Sequence, residues 1–368
     1  MDKVVMQAAD LDGYLTPADQ EAITQVGGLY SRALDDFVCL DGGKALEREG
    51  AQERLLSVFN ELGEIMQGAV SAERRIHVYS LETPEFIHGE ASRLVAKLRD
   101  VRTGNPEFIY YIQRAYEMLF NLAFAGPHSG QRHPIFVRTP VTVPQANYAV
   151  HKIPDIDAMT ENSVMCVMLR AALLPSMIVA KEIQEYSSRH TVPPFALFKI
   201  SRDDSRSERD MAYVLDLKKS YFDIGELQGR DLFFADPMNA TGGSLVTVIQ
   251  YLRGQGVRPR SIRFFNVVST LKGALRIVRA VAEAEVYTLW MDPSLNEKAY
   301  ILPGLGDAGD RINGPDRRDS PRDIIQLIAD YGTHVTSLYR DQIRQIEKIV
   351  LNRSHTMVSA SLKIAETI

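Results

Sequence analysis

Short apolar runs separated by amphipathic stretches dominate the middle of the chain: Val164 to Leu169, Phe195 to Ile200, Leu232 to Ala235, Ile262 to Val268 and Val286 to Met291. Runs this short, bounded by turn residues, predict strands buried on both faces, as in a parallel sheet. Between them Leu245, Val248, Ile249 and Leu252 share one helical face before Gly254, and Ala274, Ile277, Val278 and Val281 share another. Strand alternating with helix predicts an open, mostly parallel α/β sheet flanked by helices, whose ligands bind at the carboxyl ends of the strands.

The flanks read differently. In residues 1–74 Thr16 and Pro17 form a reasonable N-cap and first helical position, and Leu55, Phe59, Leu62 and Met66 recur at helical spacing, which predicts a helical N-terminal extension. Asn105-Pro106-Glu107 opens another helix with Ile109, Ile112, Tyr116 and Leu119 on one face, ending before Gly126-Pro127, and Gly126 to Arg132 reads as an exposed loop. Beyond Gly314-Pro315 a charged hinge, Asp316 to Pro321, precedes a helical tail in which Ile324, Leu327, Ile328, Val335, Leu338, Ile343, Ile346 and Val350 keep an apolar stripe. The expected division is therefore 1–74, 75–314 and 315–368. A stripe of that kind packs on the parent domain or on a second copy more often than it makes a separate module.

Composition narrows the class. A chain of 368 residues with 45% hydrophobic and 24% charged positions can bury a large core. Its net charge of −5 gives no basic surface on which nucleic acid could release counterions. Two distant cysteines, Cys39 and Cys166, support neither a disulfide framework nor a zinc pattern, and fit a reducing, cytoplasmic setting. No apolar run approaches the roughly 20 residues of a membrane span, so no membrane association is expected. The histidines, among them His128, His133 and His334, lack metal-ligand spacing and read as surface or core residues, as Trp290 reads as core.

Candidate chemistry lies where the third apolar run breaks: Asp236-Pro237-Met238-Asn239-Ala240-Thr241-Gly242-Gly243-Ser244 is a glycine turn opening a helix. Backbone N–H groups at a helix N-terminus, aided by the Thr241 and Ser244 hydroxyls, present donors and a positive dipole end to a phosphate. An ordinary strand-to-helix turn can carry the same glycines, so the turn alone leaves both readings open. About sixty residues on stands a rarer string, Tyr300-Ile301-Leu302-Pro303-Gly304-Leu305-Gly306-Asp307-Ala308-Gly309-Asp310-Arg311.

Together the two strings resemble the uracil phosphoribosyltransferase family. The resemblance extends to Leu169-Arg170-Ala171-Ala172-Leu173, Ser201-Arg202-Asp203-Asp204, Asp292 with Leu295-Asn296-Glu297, and Leu98-Arg99-Asp100 with Thr103 and Glu107-Phe108. It spans residues 75 to 314 in the family's order. It implies a type I phosphoribosyltransferase fold and transfer of ribose 5-phosphate from phosphoribosyl pyrophosphate (PRPP) to uracil, with Mg²⁺ shielding the pyrophosphate. By the same resemblance Ala240 to Ser244 hold the 5-phosphate and Asp236 takes the ribose hydroxyls. Arg170 and Arg202 face the pyrophosphate, Arg202 from a flexible loop over Ser201 to Arg209; Asp203 and Asp204, by their residue type, read as solvation of that loop rather than as ligands. Ile301, Gly306, Asp307 and Ala308 meet the base through main-chain groups, and Asp307 also faces the ribose and pyrophosphate. The family implies a homodimer or larger homo-oligomer.

The chain also departs from the family. Ala172 and Leu174 stand where glycines are usual, Asn239 replaces a leucine, Ser269-Thr270-Leu271-Lys272-Gly273 replaces Ala-Ala-Pro-Glu-Gly, and Leu122 to Pro127 occupies the place of Tyr-Glu-Ala-Thr-Arg. These changes keep two alternatives in view: a regulatory or scaffolding homologue that binds PRPP or nucleotide with little turnover, and an active enzyme for another base.

Overall fold

The computed structural model describes residues 2–82, 85–124, 131–203, 205–314 and 340–365. The chain begins with β1 (Lys3–Gln7), which runs into α1 (Ala8–Asp12) and on through α2 (Pro17–Arg32), α3 (Leu34–Gly42) and α4 (Ala45–Ser71). Thr16 caps α2 as its sequence suggests, with its hydroxyl accepting from the Asp19 amide and the Asp19 carboxylate accepting in turn from the Thr16 amide. On α4, Leu55, Leu62 and Met66 are buried, but Phe59 stays exposed at the edge of Tyr30. The first 74 residues are thus not wholly helical, since β1 adds a strand.

Next come β2 (Ile76–Val78), α5 (Tyr79–Glu82), α6 (Glu85–Arg99) and α7 (Asn105–Phe124), then a hairpin of β3 (Arg132–Arg138) and β4 (Tyr148–Pro154). The loop expected over Gly126 to Arg132 lies mostly outside the described residues, and its last residue already belongs to β3. The central unit follows: α8 (Asp157–Thr160), β5 (Ser163–Leu169), α9 (Leu173–Tyr186), β6 (Phe195–Arg202), β7 (Ala212–Tyr221), α10 (Ile224–Leu227), β8 (Asp231–Ala235), β9 (Met238–Asn239), α11 (Gly243–Gly254), β10 (Ser261–Thr270), α12 (Leu271–Ala280) and β11 (Ala284–Asp292). Short β12 (Ser294–Leu295) and β13 (Ile301–Leu302), then α13 (Ala308–Asn313), close it, and α14 (Arg340–Ala365) stands last. The hinge and the first half of the tail stripe, through Leu338, lie outside the described residues. Ile343, Ile346 and Val350 are buried where α14 meets β6, β7 and α9.

All five predicted strands form, and with β1, β2 and β7 they make one sheet in the order β1-β7-β6-β5-β8-β10-β11-β2, with β9 pairing β10 off this path. From β6 to β2 every pair is parallel, while β7 and β1 close one edge antiparallel. The fold is the open α/β sheet expected. From β5 the chain steps to β6 on one side, then returns to β8 on the other. Right-handed crossovers in opposite directions put α9 on one face and α11 with α12 on the other. A crevice opens where the order reverses, at the carboxyl ends of β5 and β8. Phe124, Phe233, Phe265 and Tyr287 form a ring cluster in the core, with Phe124–Phe233 and Phe265–Tyr287 stacked and Phe233–Phe265 edge to face.

Candidate functional site

A cleft of about 300 Å³ lies at that switch point. Arg170 follows β5, Arg202 ends β6, Asp236 follows β8, and Met238 to Ser244 form the floor leading into α11, while Ala299, Tyr300, Ile301, Asp307 and Gly309 supply the opposite wall. The two strings sixty residues apart therefore share one cavity. Pro237, Gly306 and Ala308 are not among the lining residues: the Pro237 carbonyl accepts from the Val267 and Val268 amides, and Ala308 is buried in α13. Gly306 serves the loop by its left-handed backbone, φ +72°.

The floor is shaped by glycine. Gly242 caps α11 at φ +72°, and a Cβ there would meet the Gly273 carbonyl at 2.9 Å. A Cβ on Gly243 would fall within the Tyr213 ring. The Thr241 hydroxyl, expected to face a phosphate, is instead paired with the Tyr213 hydroxyl at 2.5 Å and lies 3.4 Å from the Gly243 amide. Ser244 lies in the cleft lining. The donors of the first turn of α11 thus point from a helix start that a buried tyrosine holds in place.

Arg202 is the last residue of β6 rather than part of the following loop; it donates to the Ala299 carbonyl at 3.1 Å and lies over the Tyr300 ring. Strand hydrogen bonds fix it against the base ribbon. Asp203 turns away, accepting from Ser205 and Arg206, as a loop-solvating residue does, and Asp204 lies outside the described residues. Arg170 donates to the Gly314 carbonyl at 2.7 Å and pairs with Asp310. The Asp307 carboxylate caps α13 by accepting from the Asp310 amide at 2.9 Å, so the residue expected at the ribose also anchors the helix that holds Arg170.

Asp236 is the electrostatic centre. Burial raises its pKa to about 7, against the pull of the Met238 amide and of Arg202, with Asp307 raising it further. An unfolded carboxyl titrates near 3.8, so between these values the folded chain holds a proton that the unfolded chain has lost. Stability from this group is therefore full below about pH 4 and is lost as pH rises toward 7. We expect the stability difference between the wild type and Asp236→Asn to fall across that window in thermal melts at pH 4.5, 5.5, 6.5 and 7.5. A difference constant with pH would show that the carboxyl titrates normally.

Three connections escaped sequence reasoning. Asp292, only 1% exposed, accepts from both terminal nitrogens of Arg99, at 3.1 and 2.6 Å, and from the Gly304 amide at 2.9 Å. Arg311 reaches the carbonyls of Leu98, Asp100, Thr103 and Leu305 and lies 4.0 Å over Phe108. The residues around 98 to 108 are thus the seat of the Tyr300 to Arg311 ribbon. Lastly, two departures from the family pattern are partners: Asn239, buried, donates to Ser269 at 2.9 Å. Ala172 and Leu174 face the core and do not line the cleft.

Among the described residues no cluster of three or more His, Cys, Asp and Glu could hold a metal, and no helix is long and apolar enough to cross a membrane. The sequence model of the uracil phosphoribosyltransferase family matches residues 87–314. The chain is 29% identical over 219 residues to the uracil phosphoribosyltransferase of Campylobacter concisus, covering 59% of this chain and 91% of that one. It is 42% identical over 89 residues to that of Limosilactobacillus fermentum, covering 24% and 42%. Among solved structures, the AQ2163 protein from Aquifex aeolicus superposes with a TM-score of 0.43 at 22% identity, over 62% of this chain and 95% of that one. The orotate phosphoribosyltransferase of Mycobacterium tuberculosis in complex with PRPP does so at 0.31 and 13%, over 58% and 95%.

Proposed function

Because this chain belongs to the uracil phosphoribosyltransferase family, we propose that its cleft transfers the ribose 5-phosphate group of PRPP to a ring nitrogen of uracil. The C1–pyrophosphate bond breaks, the C1–N bond forms, and the nitrogen's proton leaves, giving UMP and pyrophosphate in salvage of the base. The observation that carries this reading is the meeting of the phosphate turn and the base ribbon in one cavity.

In this reading the amides at the head of α11, with the Ser244 hydroxyl, take the 5-phosphate. Asp236 accepts from the ribose hydroxyls, most strongly in its ionised form. Arg202 and Arg170 neutralise the leaving pyrophosphate, Arg170 by exchanging Asp310 for the ligand, and their multidentate guanidinium groups suit that work. Asp307 faces the ribose, and the main chain at Ile301 and the adjoining ribbon reads the base, so a wrong base would leave buried groups unpaired. Mg²⁺ arrives as part of the PRPP substrate. Little covalent work falls to the protein; positioning and fixed charge lower the barrier. Two free cysteines and phosphorylated substrates support a cytoplasmic location, which cell fractionation would check.

The test is pyrophosphate release from purified protein with PRPP, Mg²⁺ and a panel of bases. Release with uracil alone supports the reading. Release with a different base reassigns the acceptor, and PRPP binding without release from any base would make the protein a binding homologue.

The β3–β4 hairpin supports a homodimer. Phe136 and Val150 stand opposite each other in register and are 68% and 56% exposed, with exposed Tyr148 on the same face. A two-stranded hairpin with an uncovered apolar face is marginal alone, and a symmetric pairing with the hairpin of a second copy would cover it. Phe136→Ser with Val150→Ser should convert a dimer into a monomer by light scattering. A wild type that is already monomeric at micromolar concentration would overturn the dimer.

A further inference from the structure

We propose that residues 3–12 act as a brace that sets the phosphate turn, by way of Tyr213 and Arg276 converging on Thr241. The inference rests on the proposed role of that turn in holding PRPP.

Two arms reach one residue. The first is strand to strand: β1 pairs antiparallel with β7, placing Met6 opposite Tyr213, and the Ala8 amide donates to the Met211 carbonyl at 2.8 Å. The Tyr213 hydroxyl holds that of Thr241 while its ring fills the space a side chain at Gly243 would need. The second arm is ionic. Arg276, fully buried on α12, donates to the Thr241 carbonyl at 2.9 Å and pairs with Asp12 at the end of α1. Its Nε–H has no acceptor among the described residues, and among them Asp12 is the carboxylate that pairs with this cation.

Thr241 is therefore gripped at its hydroxyl by one arm and at its carbonyl by the other, and both are tied to the same ten-residue segment. Its neighbours Gly242 and Gly243 are flexible residues that would otherwise roam, and the amides that follow are those proposed to meet the 5-phosphate. A buried guanidinium deprived of its carboxylate is strongly disfavoured where it lies and must seek water or another acceptor. The Thr241 carbonyl would move with it. Lys272, 3.4 Å from Asp12, keeps its own partner Glu208 at 2.8 Å and so does not depend on the brace.

Asp12 touches no part of the cleft lining, which makes it a positioning residue with a clean readout. In the full-length chain, Asp12→Asn is expected to raise KM for PRPP and the calorimetric Kd for Mg²⁺-PRPP about tenfold while KM for uracil stays within about twofold. Arg276→Met should do the same or more, and the double variant should be no worse than Arg276→Met alone, since both act through one contact. Circular dichroism at the assay temperature establishes that each variant is folded, and if Arg276→Met does not fold, Asp12→Asn with Asp12→Glu as its rescue decides the matter. Equal rises in both KM values, or no change in PRPP affinity in folded Asp12→Asn, would overturn the brace while leaving the enzyme's function intact. A wild type that neither binds nor consumes PRPP would overturn the functional reading, and the brace with it.

Discussion

Gly243→Ala is expected to lower kcat/KM for PRPP by about a hundredfold or more. The added carbon has no place to go, because it would fall inside the Tyr213 ring, and that ring is fully buried between β7 and α11. Either the tyrosine leaves, releasing the Thr241 hydroxyl it holds, or the first turn of α11 shifts and its amides aim elsewhere. Misplacement of about 1 Å at a positioning site costs on the order of a hundredfold. Overpacking itself costs about 1–3 kcal/mol, small enough to leave a folded protein to assay. The check is steady-state kinetics with PRPP and uracil varied separately, together with a melt. Wild-type KM for PRPP and wild-type kcat in a folded variant would refute the claim that this glycine is required by Tyr213.

How much of this was readable beforehand depended on the range of the interactions. β5, β6, β8, β10 and β11 were legible because a strand buried on both faces needs an uninterrupted apolar run, and such a run stands out between turns. β7 was not, since Asp216, Lys218 and Lys219 interrupt it; with β1 covering its outer side it can keep charged positions on a half-solvated surface. β1 and β2, of five and three residues, are too short to show a period and exist because a sheet edge is there to receive them. The site followed the same rule. Asp236, Arg170, Arg202 and Asp307 stood in contiguous strings and do meet in one cleft, whereas Pro237, Gly306 and Ala308 belonged to the same strings and do not line it. Arg276 was invisible because its partner Asp12 lies 264 residues away, and a lone arginine in a helical pattern reads as solvated surface. Asn239 and Ser269 were each seen as a departure, but only the parallel pairing of β9 with β10 makes them one hydrogen bond.

The second large effect concerns the seat of the base ribbon. Asp292→Ala should destabilise the fold by about 3–5 kcal/mol, the usual result of removing one partner of a buried ion pair. The alanine would leave the Arg99 guanidinium, 20% exposed, without its carboxylate and the Gly304 amide without an acceptor. Gly304 has a left-handed backbone, φ +65°, and a side chain there would meet the Ile301 carbonyl at 2.2 Å, so the turn that Asp292 holds lies hard against that carbonyl. That carbonyl belongs to the main chain proposed to read uracil, so in whatever fraction of Asp292→Ala stays folded KM for uracil should rise more than KM for PRPP. Urea unfolding with an unchanged m-value would measure the stability loss. Arg99→Met combined with Asp292→Ala should be less destabilising than Asp292→Ala alone, because a buried cation without its partner costs more than no cation at all. A single-variant loss below about 1 kcal/mol, or a double variant weaker by the full sum, would show that the pair is only a surface ion bridge and that the ribbon is seated by something else.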